Sequence, residues 1–326
     1  MSKIEQSWYQ APGLITLLLL PCSGLFWLLS TARKWLYKRH ILTVCSSKTP
    51  IIVVGNISVG GNGKTPFVIW LAQYLQDKNL KVAVISRGYG GHSNQYPILV
   101  TETTPSSVAG DEPVLIYRRL RCLVMVGPDR QASIEKLNRE HQPDIIISDD
   151  GMQHYKMART LECCIVDSER QFGNNLLLPA GPLRETRARL KSVDLVIENG
   201  GEATYRYDLQ TAALRYVVDD KIVTQSVRSG HATSAIGNPK RFEASLNALG
   251  YTLKSTLHFR DHFAYDEHDF AKFNDDIVFM TEKDAVKCRR FAKPTWYYLP
   301  VDAKPTQPVI DTLNSLLKEK GILNGL

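Results

Sequence analysis

IIVVGNISVGGNGKTP, residues 51 to 66, opens on four apolar β-branched residues, empties into a glycine-rich loop and closes on Gly63-Lys64-Thr65-Pro66. Consecutive Ile and Val with no polar alternation describe a strand buried on both faces, as in a parallel sheet covered by helices. Gly55, Gly60, Gly61 and Gly63 let the backbone turn tightly with its N–H groups aimed inward. Those groups and the N-terminus of the next helix make a phosphate site. In the pattern G-x-x-x-x-G-K-[ST], the lysine reaches the β- and γ-phosphates and the hydroxyl residue holds Mg²⁺. The expected cradle for ATP is therefore Ser58, Val59, Gly60, Gly61, Asn62, Gly63, Lys64 and Thr65. Ser58 stands where the first glycine of that pattern belongs; its hydroxyl can begin a turn, and Gly60-Gly61 moves the permissive positions inward.

Working outward, apolar runs alternate with helical stretches. Strands are expected at 81–86, 122–126, 144–148, 162–166 and 194–198, and helices at 65–77, 111–120 and 129–140. This order argues for a doubly wound α/β sheet with ligands at the strand carboxyl ends. Near Gly200 the texture changes: TYRYDLQ and ALRYVV read as two short alternating strands forming a ribbon. A second βα series follows, with strands at 233–237, 252–258, 277–281 and 296–299 and a helix at 239–249. A last helix spans 307–320.

The chain has 326 residues, 44% of them apolar and 22% charged, so it holds about two globular domains and is not disordered. A net charge of +7 suggests an acidic partner. The six cysteines show no C-x-x-C pair and no zinc spacing, and read as buried reduced thiols in a nucleotide-containing compartment. Residues 13 to 30, GLITLLLLPCSGLFWLLS, carry no charge and precede Arg33, Lys34, Lys38 and Arg39. Such a segment contacts a membrane, with Trp8, Tyr9, Trp27, Trp35 and Tyr37 as interfacial aromatics and the basic cluster at an anionic cytoplasmic leaflet. A full span takes about 20 apolar residues. With Pro21 and Gly24 interrupting the run, monotopic insertion is the favoured reading, and a single span stays open.

DIIISDDGMQH, residues 144 to 154, ends an apolar strand in Asp149-Asp150, as an acid facing Mg²⁺ must be placed. Strand alternation sends the two carboxylates in different directions, leaving open which one touches the metal. Three further stretches are open between structural and functional roles. Arg87 begins RGYGG; Asp111 begins a helix, where an acid suits the dipole as well as catalysis; and the turn PAGPLRE leads into a basic helix containing Arg184, Arg187, Arg189 and Lys191. HFRDHF, residues 258 to 263, gathers His258, Arg260 and His262 on one strand face and Phe259 with Asp261 on the other.

Together these stretches resemble one family, the tetraacyldisaccharide 4′-kinases: GNISVGGNGKTP, SRGYGG, GDEP, DDGMQH, PAGPLRE, IGNPKRF, HFRDHF and TEKDAVK. The resemblance implies two α/β/α domains joined by a two-stranded ribbon, an N-terminal membrane-associating segment (1–40), a P-loop domain (41–202, completed by 305–326) and a smaller α/β domain (203–304). It implies phosphorylation of the 4′-hydroxyl of a lipid A disaccharide precursor by ATP with Mg²⁺, at the cytoplasmic face of the inner membrane, by a monomer. It makes Asp111 the catalytic base with His262 its partner, Lys64 and Thr65 phosphate and metal ligands, and Asp149 and Asp150 the acidic pair near the metal. Arg87, Arg130, Gln153, Arg184 and Glu185 become phosphate or substrate contacts. Two rivals are weaker. A switch ATPase is suggested by TEKD at 281–284, whose order departs from a guanine-reading N-K-x-D. A nucleic-acid protein is suggested by charge alone, with its aromatics in the wrong place.

Overall fold

The computed structural model describes residues 3–261, 263–273 and 275–323. Helices α1 (Lys3–Ser7) and α2 (Leu14–Lys38) precede β1 (Ile51–Gly55), which passes through the glycine loop into α3 (Lys64–Gln76). Next come β2 (Val82–Ser86), β3 (Ile98–Leu99), α4 (Ser106–Ala109), α5 (Asp111–Leu120), β4 (Leu123–Val126), α6 (Arg130–Glu140) and β5 (Ile145–Asp149). β6 (Leu161–Asp167), β7 (Leu195–Asn199), β8 (Arg206–Thr211), β9 (Arg215–Tyr216), β10 (Ser229–Ser234), α7 (Pro239–Ala248) and β11 (Thr252–His258) follow. The described chain closes with β12 (Val278–Thr281), α8 (Glu282–Cys288), β13 (Trp296–Leu299), β14 (Val301–Pro305) and α9 (Gln307–Glu319).

The strands form two sheets, one in the order β14-β8-β7-β6-β1-β5-β2-β4-β3 and one in the order β11-β10-β12-β13-β9. β1 lies at the centre of the first, parallel to β5 on one side and β6 on the other, so the loops leaving β1 and β5 emerge side by side at one sheet edge. Its alternate residues feed two cores: Ile52 and Val54 enter one, Ile51 and Val53 the other. Cys163 and Cys164 divide between the same two faces, as strand alternation requires. Three fully buried residues of α9, Val309, Leu313 and Leu317, complete the first core beside α3. Their spacing of four is one helix face.

The two α/β sheets are joined by a ribbon, but its strands are not the expected pair. TYRYDLQ contributes β8, whose antiparallel partner is β14, with Tyr207 opposite Pro305 and Thr211 opposite Val301. ALRYVV contributes only β9, which pairs with β13 in the second sheet. The local pattern marks both as strands but carries no information on a partner some 90 residues away. β3 went unread because two residues show no period.

α2 is one continuous helix through Pro21 and Gly24, about 37 Å long at 1.5 Å per residue. Of its residues only Thr16 and Ser23 are buried, so it is not a core helix. Ser23 Oγ donates to Leu177 O (2.9 Å) and accepts from Ala180 N (3.0 Å), pinning the helix to the PAGPLRE turn. Trp8 donates to Pro179 O (2.9 Å) and thus anchors the fold, whereas Trp27 and Trp35 are exposed with Leu14, Leu17, Leu18, Leu25, Leu28 and Leu29. Of the cysteines, Cys22 is exposed and Cys45 half-buried; the other four are buried, and all six are free thiols.

Candidate active site

The loop between β1 and α3 is closed by its own side chains. Asn56 Nδ2 donates to Ser58 O (2.6 Å), and Asn62 Nδ2 donates to Ser58 Oγ (2.9 Å). Ser58 therefore supplies an acceptor that a glycine would lack. Val59 N donates to Pro182 O (2.8 Å) and Arg184 N to Ile57 O (2.7 Å), so PAGPLRE runs alongside the loop. Gly60 and Gly63 adopt φ of 106° and 77°, a region favouring glycine. Gly63 precedes the first turn of α3, whose free N–H groups and partial positive charge suit a phosphate. Tyr207 OH donates to Gly63 O (2.6 Å), and Asn199 Nδ2 to Asn62 O (3.3 Å), holding the loop from beneath.

Asp149 and Asp150 separate, as alternation requires. Asp149, at the end of β5, is buried, and its Oδ1 has no hydrogen-bond partner among the described residues; burial raises its carboxyl well above the ordinary range. Asp150 turns away with φ of 50°. It meets Lys64 Nζ at 3.4 Å and accepts from Arg184 Nη1 at 2.9 Å. Partial burial opposes its ionisation, but Lys64 and Arg184 outweigh that and hold it well below the usual carboxylate range. Lys64 also donates to Asn56 Oδ1 (3.1 Å). Arg130 is buried beneath this pair, with Nη2 on Asp149 O (2.7 Å). Burial lowers its pKa to about 10, which leaves it cationic at neutral pH. Arg87 is exposed at the end of β2.

Gln153 links these groups to the PAGPLRE turn. Its Nε2 donates to Asn56 O (3.0 Å) and Glu185 Oε1 (2.9 Å), and its Oε1 accepts from Arg184 (3.2 Å). Glu185 also accepts from Tyr155 OH and lies 3.4 Å from Arg189 Nε and 3.9 Å from Lys34 Nζ. The expected basic helix is a 3₁₀ segment, Arg187–Ser192, that excludes Arg184. Arg189 is not surface: it is buried in a double hydrogen bond to Glu162 (2.6 and 2.6 Å), which Arg159 also contacts at 2.5 Å. Arg187 turns to Asn175 (3.3 Å), away from Arg184.

Asp111 is buried at the first position of α5, its Oδ1 accepting from Glu112 N (3.1 Å). SRGYGG packs against it backbone to backbone. A Cβ on Gly110 would stand 2.8 Å from Tyr89 O, and one on Gly91 would stand 2.5 Å from Gly110 N, so both positions need glycine to pass. Lys283 Nζ of the second sheet lies 3.6 Å from Asp111 Oδ2 and 3.6 Å from Asp261 Oδ1. His262 lies outside the described residues. His258 pairs with Glu243 and is exposed. Phe259 stacks on Phe263 at 4.4 Å.

A cavity of about 320 Å³ lies where the two sheets face each other, with Gly60–Thr65 on one wall and Ile236, Asn238, Phe242 and Lys283 on the other. Gly60–Thr65 suit a triphosphate, and Ile236 and Phe242 on the far wall suit a base. A cleft between the two domains is what the family resemblance implies, but Ile236, Asn238 and Phe242 carry no role legible in the sequence. IGNPKRF contains Ile236, Asn238 and Phe242, but nothing in that string shows that it faces a loop 170 residues earlier.

The family model for tetraacyldisaccharide-1-P 4′-kinase matches residues 15–318. The tetraacyldisaccharide 4′-kinase of Pseudoalteromonas translucida is 66% identical over 326 residues, all of both chains. That of Mannheimia succiniciproducens is 47% identical over 95% of this chain and 97% of its own. The crystal structure of LpxK from Aquifex aeolicus in complex with ATP superposes with a TM-score of 0.80 at 28% identity, over 94% of this chain and 99% of that one. A glycine-rich loop, an acidic pair and a two-sheet cleft thus sit on a chain matched along nearly its whole length: it belongs to the tetraacyldisaccharide 4′-kinase family.

Proposed function

We propose that this chain transfers the γ-phosphate of ATP to the 4′-hydroxyl of tetraacylated glucosamine disaccharide 1-phosphate, giving lipid IVA for lipid A biosynthesis. The observation that carries this reading is the juxtaposition of the Lys64–Asp150–Arg184 cluster with the α3 N-terminus at a cleft whose far wall comes from another sheet. Phosphoryl transfer asks a protein mainly for alignment and charge neutralisation, and this arrangement offers both.

In the proposed reaction the loop amides and Lys64 hold the phosphates. Asp111 accepts the proton of the 4′-hydroxyl, with His262 as its partner. The hydroxyl oxygen forms a bond to the γ-phosphorus while the bridging P–O bond breaks, and ADP departs with the electron pair. The donor set fits Mg²⁺: Asp149 offers a buried carboxylate oxygen with no partner among the described residues, and Thr65 a hydroxyl at the start of α3. Asp150, engaged by two cations, serves to orient Lys64 and Arg184. Bound Mg²⁺ would neutralise phosphate charge. Arg130 supports the strand end under Asp149, and Arg87, Gln153, Arg184 and Glu185 line the approach of the acceptor.

The chain is read as three working parts: the membrane segment 1–40, a nucleotide-binding part built on the first sheet, and a closing part built on the second. Thr16, Ser23, Phe26 and Lys34 dock α2 on the body while its leucines face outward. A docked helix of this kind lies along a bilayer surface, which supports monotopic attachment to the cytoplasmic face of the inner membrane. Both cleft walls come from one chain, consistent with a monomer, and no nucleic-acid partner is invoked. Incubation with γ-labelled ATP, Mg²⁺ and the lipid disaccharide in mixed micelles tests the reading. Label should appear on the lipid; release of labelled phosphate with none on the lipid would overturn it.

A further inference from the structure

TEKDAVK, residues 281 to 287, has no task in the reaction above, yet it starts α8 at the mouth of the cleft. Three of its first four residues are spent on structure. Thr281 caps α8 by accepting from Asp284 N (3.2 Å) and donates its hydroxyl to Asp284 Oδ2 (2.6 Å). Asp284, wholly buried, also accepts from Ala235 N (3.1 Å), which removes it from any role in reading a base. Glu282 accepts from Arg119 Nη1 with both oxygens (3.1 and 3.0 Å), binding α8 to the side of α5. Lys283 is the one of the four that faces the acids at the start of α5.

Its ammonium lies 3.3 Å from Glu112 Oε1, 3.6 Å from Asp111 Oδ2 and 3.6 Å from Asp261 Oδ1. Asp111 and Glu112 belong to the first-sheet side of the cleft, and Asp261 to the segment following β11 of the second. One cation therefore joins the carboxylate read as the acceptor's base to the segment that carries its expected partner. A half-buried ammonium among three carboxylates would leave uncompensated negative charge if removed. Burial acts to lower its pKa, but Glu112, Asp111 and Asp261 outweigh this and keep it protonated.

We propose that Lys283 is a positioning residue for phosphoryl transfer: it fixes the Asp111 carboxylate, in the orientation that receives the acceptor's proton, as the second sheet comes against the first. The proposal rests on reading Asp111 as that base. Lys283 acts through Asp111 and Asp261, so its loss reduces turnover rather than nucleotide binding.

The test compares Lys283→Ala, Lys283→Arg and Asp111→Asn in the full-length protein, with Mg²⁺·ATP and the lipid disaccharide in micelles. Lys283→Ala is expected to lower kcat roughly 10- to 100-fold, the range for losing a charge-assisted contact, with KM for ATP within about two-fold of the parent. Lys283→Arg keeps the charge and should recover most of the loss, as should millimolar methylammonium added to Lys283→Ala. A kcat for Lys283→Ala within two-fold of the parent overturns the proposal, and so does a rise in KM for ATP with kcat unchanged. If Lys283→Ala fails to fold, Lys283→Arg decides: turnover as low as that of Asp111→Asn overturns the proposal, and near-parental turnover upholds it. Full activity in Asp111→Asn would instead remove the base assignment itself, an outcome distinct from any result at position 283.

Discussion

Gly63→Ala would test the loop geometry directly. At φ of 77° the residue sits in the left-handed region, which costs an L-residue about 1–2 kcal/mol. A Cβ there would also collide with the Asn199 amide, standing 3.0 Å from its Cγ, and would lie 2.8 Å from the Tyr207 hydroxyl. Asn199 and Tyr207 are both buried, so neither can swing away, and such overpacking costs about 1–3 kcal/mol more. The sum is a loss of about 2–5 kcal/mol, readable by urea unfolding followed by circular dichroism. Pushing these side chains aside would break their bonds to Gly63 O and Asn62 O, moving the loop amides from the phosphate positions. Losing one such charge-assisted bond would weaken ATP by roughly 10- to 100-fold in calorimetry. The Asn199→Ala background separates the two causes: there the amide collision is gone, and Gly63→Ala should cost at least about 1 kcal/mol less. Equal costs in both backgrounds, or a variant within about 0.5 kcal/mol of the parent, would refute the crowding argument.

Three other perturbations address separate parts of the molecule. Asp149→Asn should lower kcat by roughly two orders of magnitude or more while leaving nucleotide binding in EDTA unchanged, since the oxygen removed is the one assigned to the metal; Kd measured with and without Mg²⁺ checks this. Glu162→Ala strands Arg159 and Arg189 in a buried setting and should destabilise by about 3–5 kcal/mol, as read in denaturant, where a cost under about 1 kcal/mol would contradict the burial seen for that pair. Deleting residues 1–40 should abolish co-sedimentation with anionic vesicles and raise KM for the lipid while leaving kcat within about three-fold; an unchanged vesicle-bound fraction would count against membrane contact through α2.

The first sheet was readable because each strand of its core carries the decision locally. IIVV, VAVI and III are continuously apolar and run into Gly55, Ser86-Arg87-Gly88 and Ser148-Asp149, so strand type, burial and the edge that bears ligands follow from a few residues each. Helix α5 was readable to the residue, since GDEP places glycine before two acids. What escaped was set by distance along the chain. β8 found its partner in β14 rather than in the neighbouring ALRYVV, because a pairing that closes the first sheet outweighs one that only closes a hairpin. Arg184 looked like part of a basic helix, but the turn before it bonds to Ile57 and Val59, which swings its guanidinium onto Asp150. Trp8 looked interfacial, but an indole N–H within reach of Pro179 O makes it an anchor. In each case tertiary contact overrode a sound local inference.

The return of α9 to the first core sets an order of assembly. Val309, Leu313 and Leu317 fill that core only after everything between β8 and β14 has left the ribosome, so the half of the molecule bearing the glycine loop cannot finish folding until the second sheet has been made. The apolar stretch 13–30 precedes both sheets in the chain. A nascent chain can thus present its apolar helix before it can complete the first core, and a chain cut anywhere before α9 would keep the one without the other.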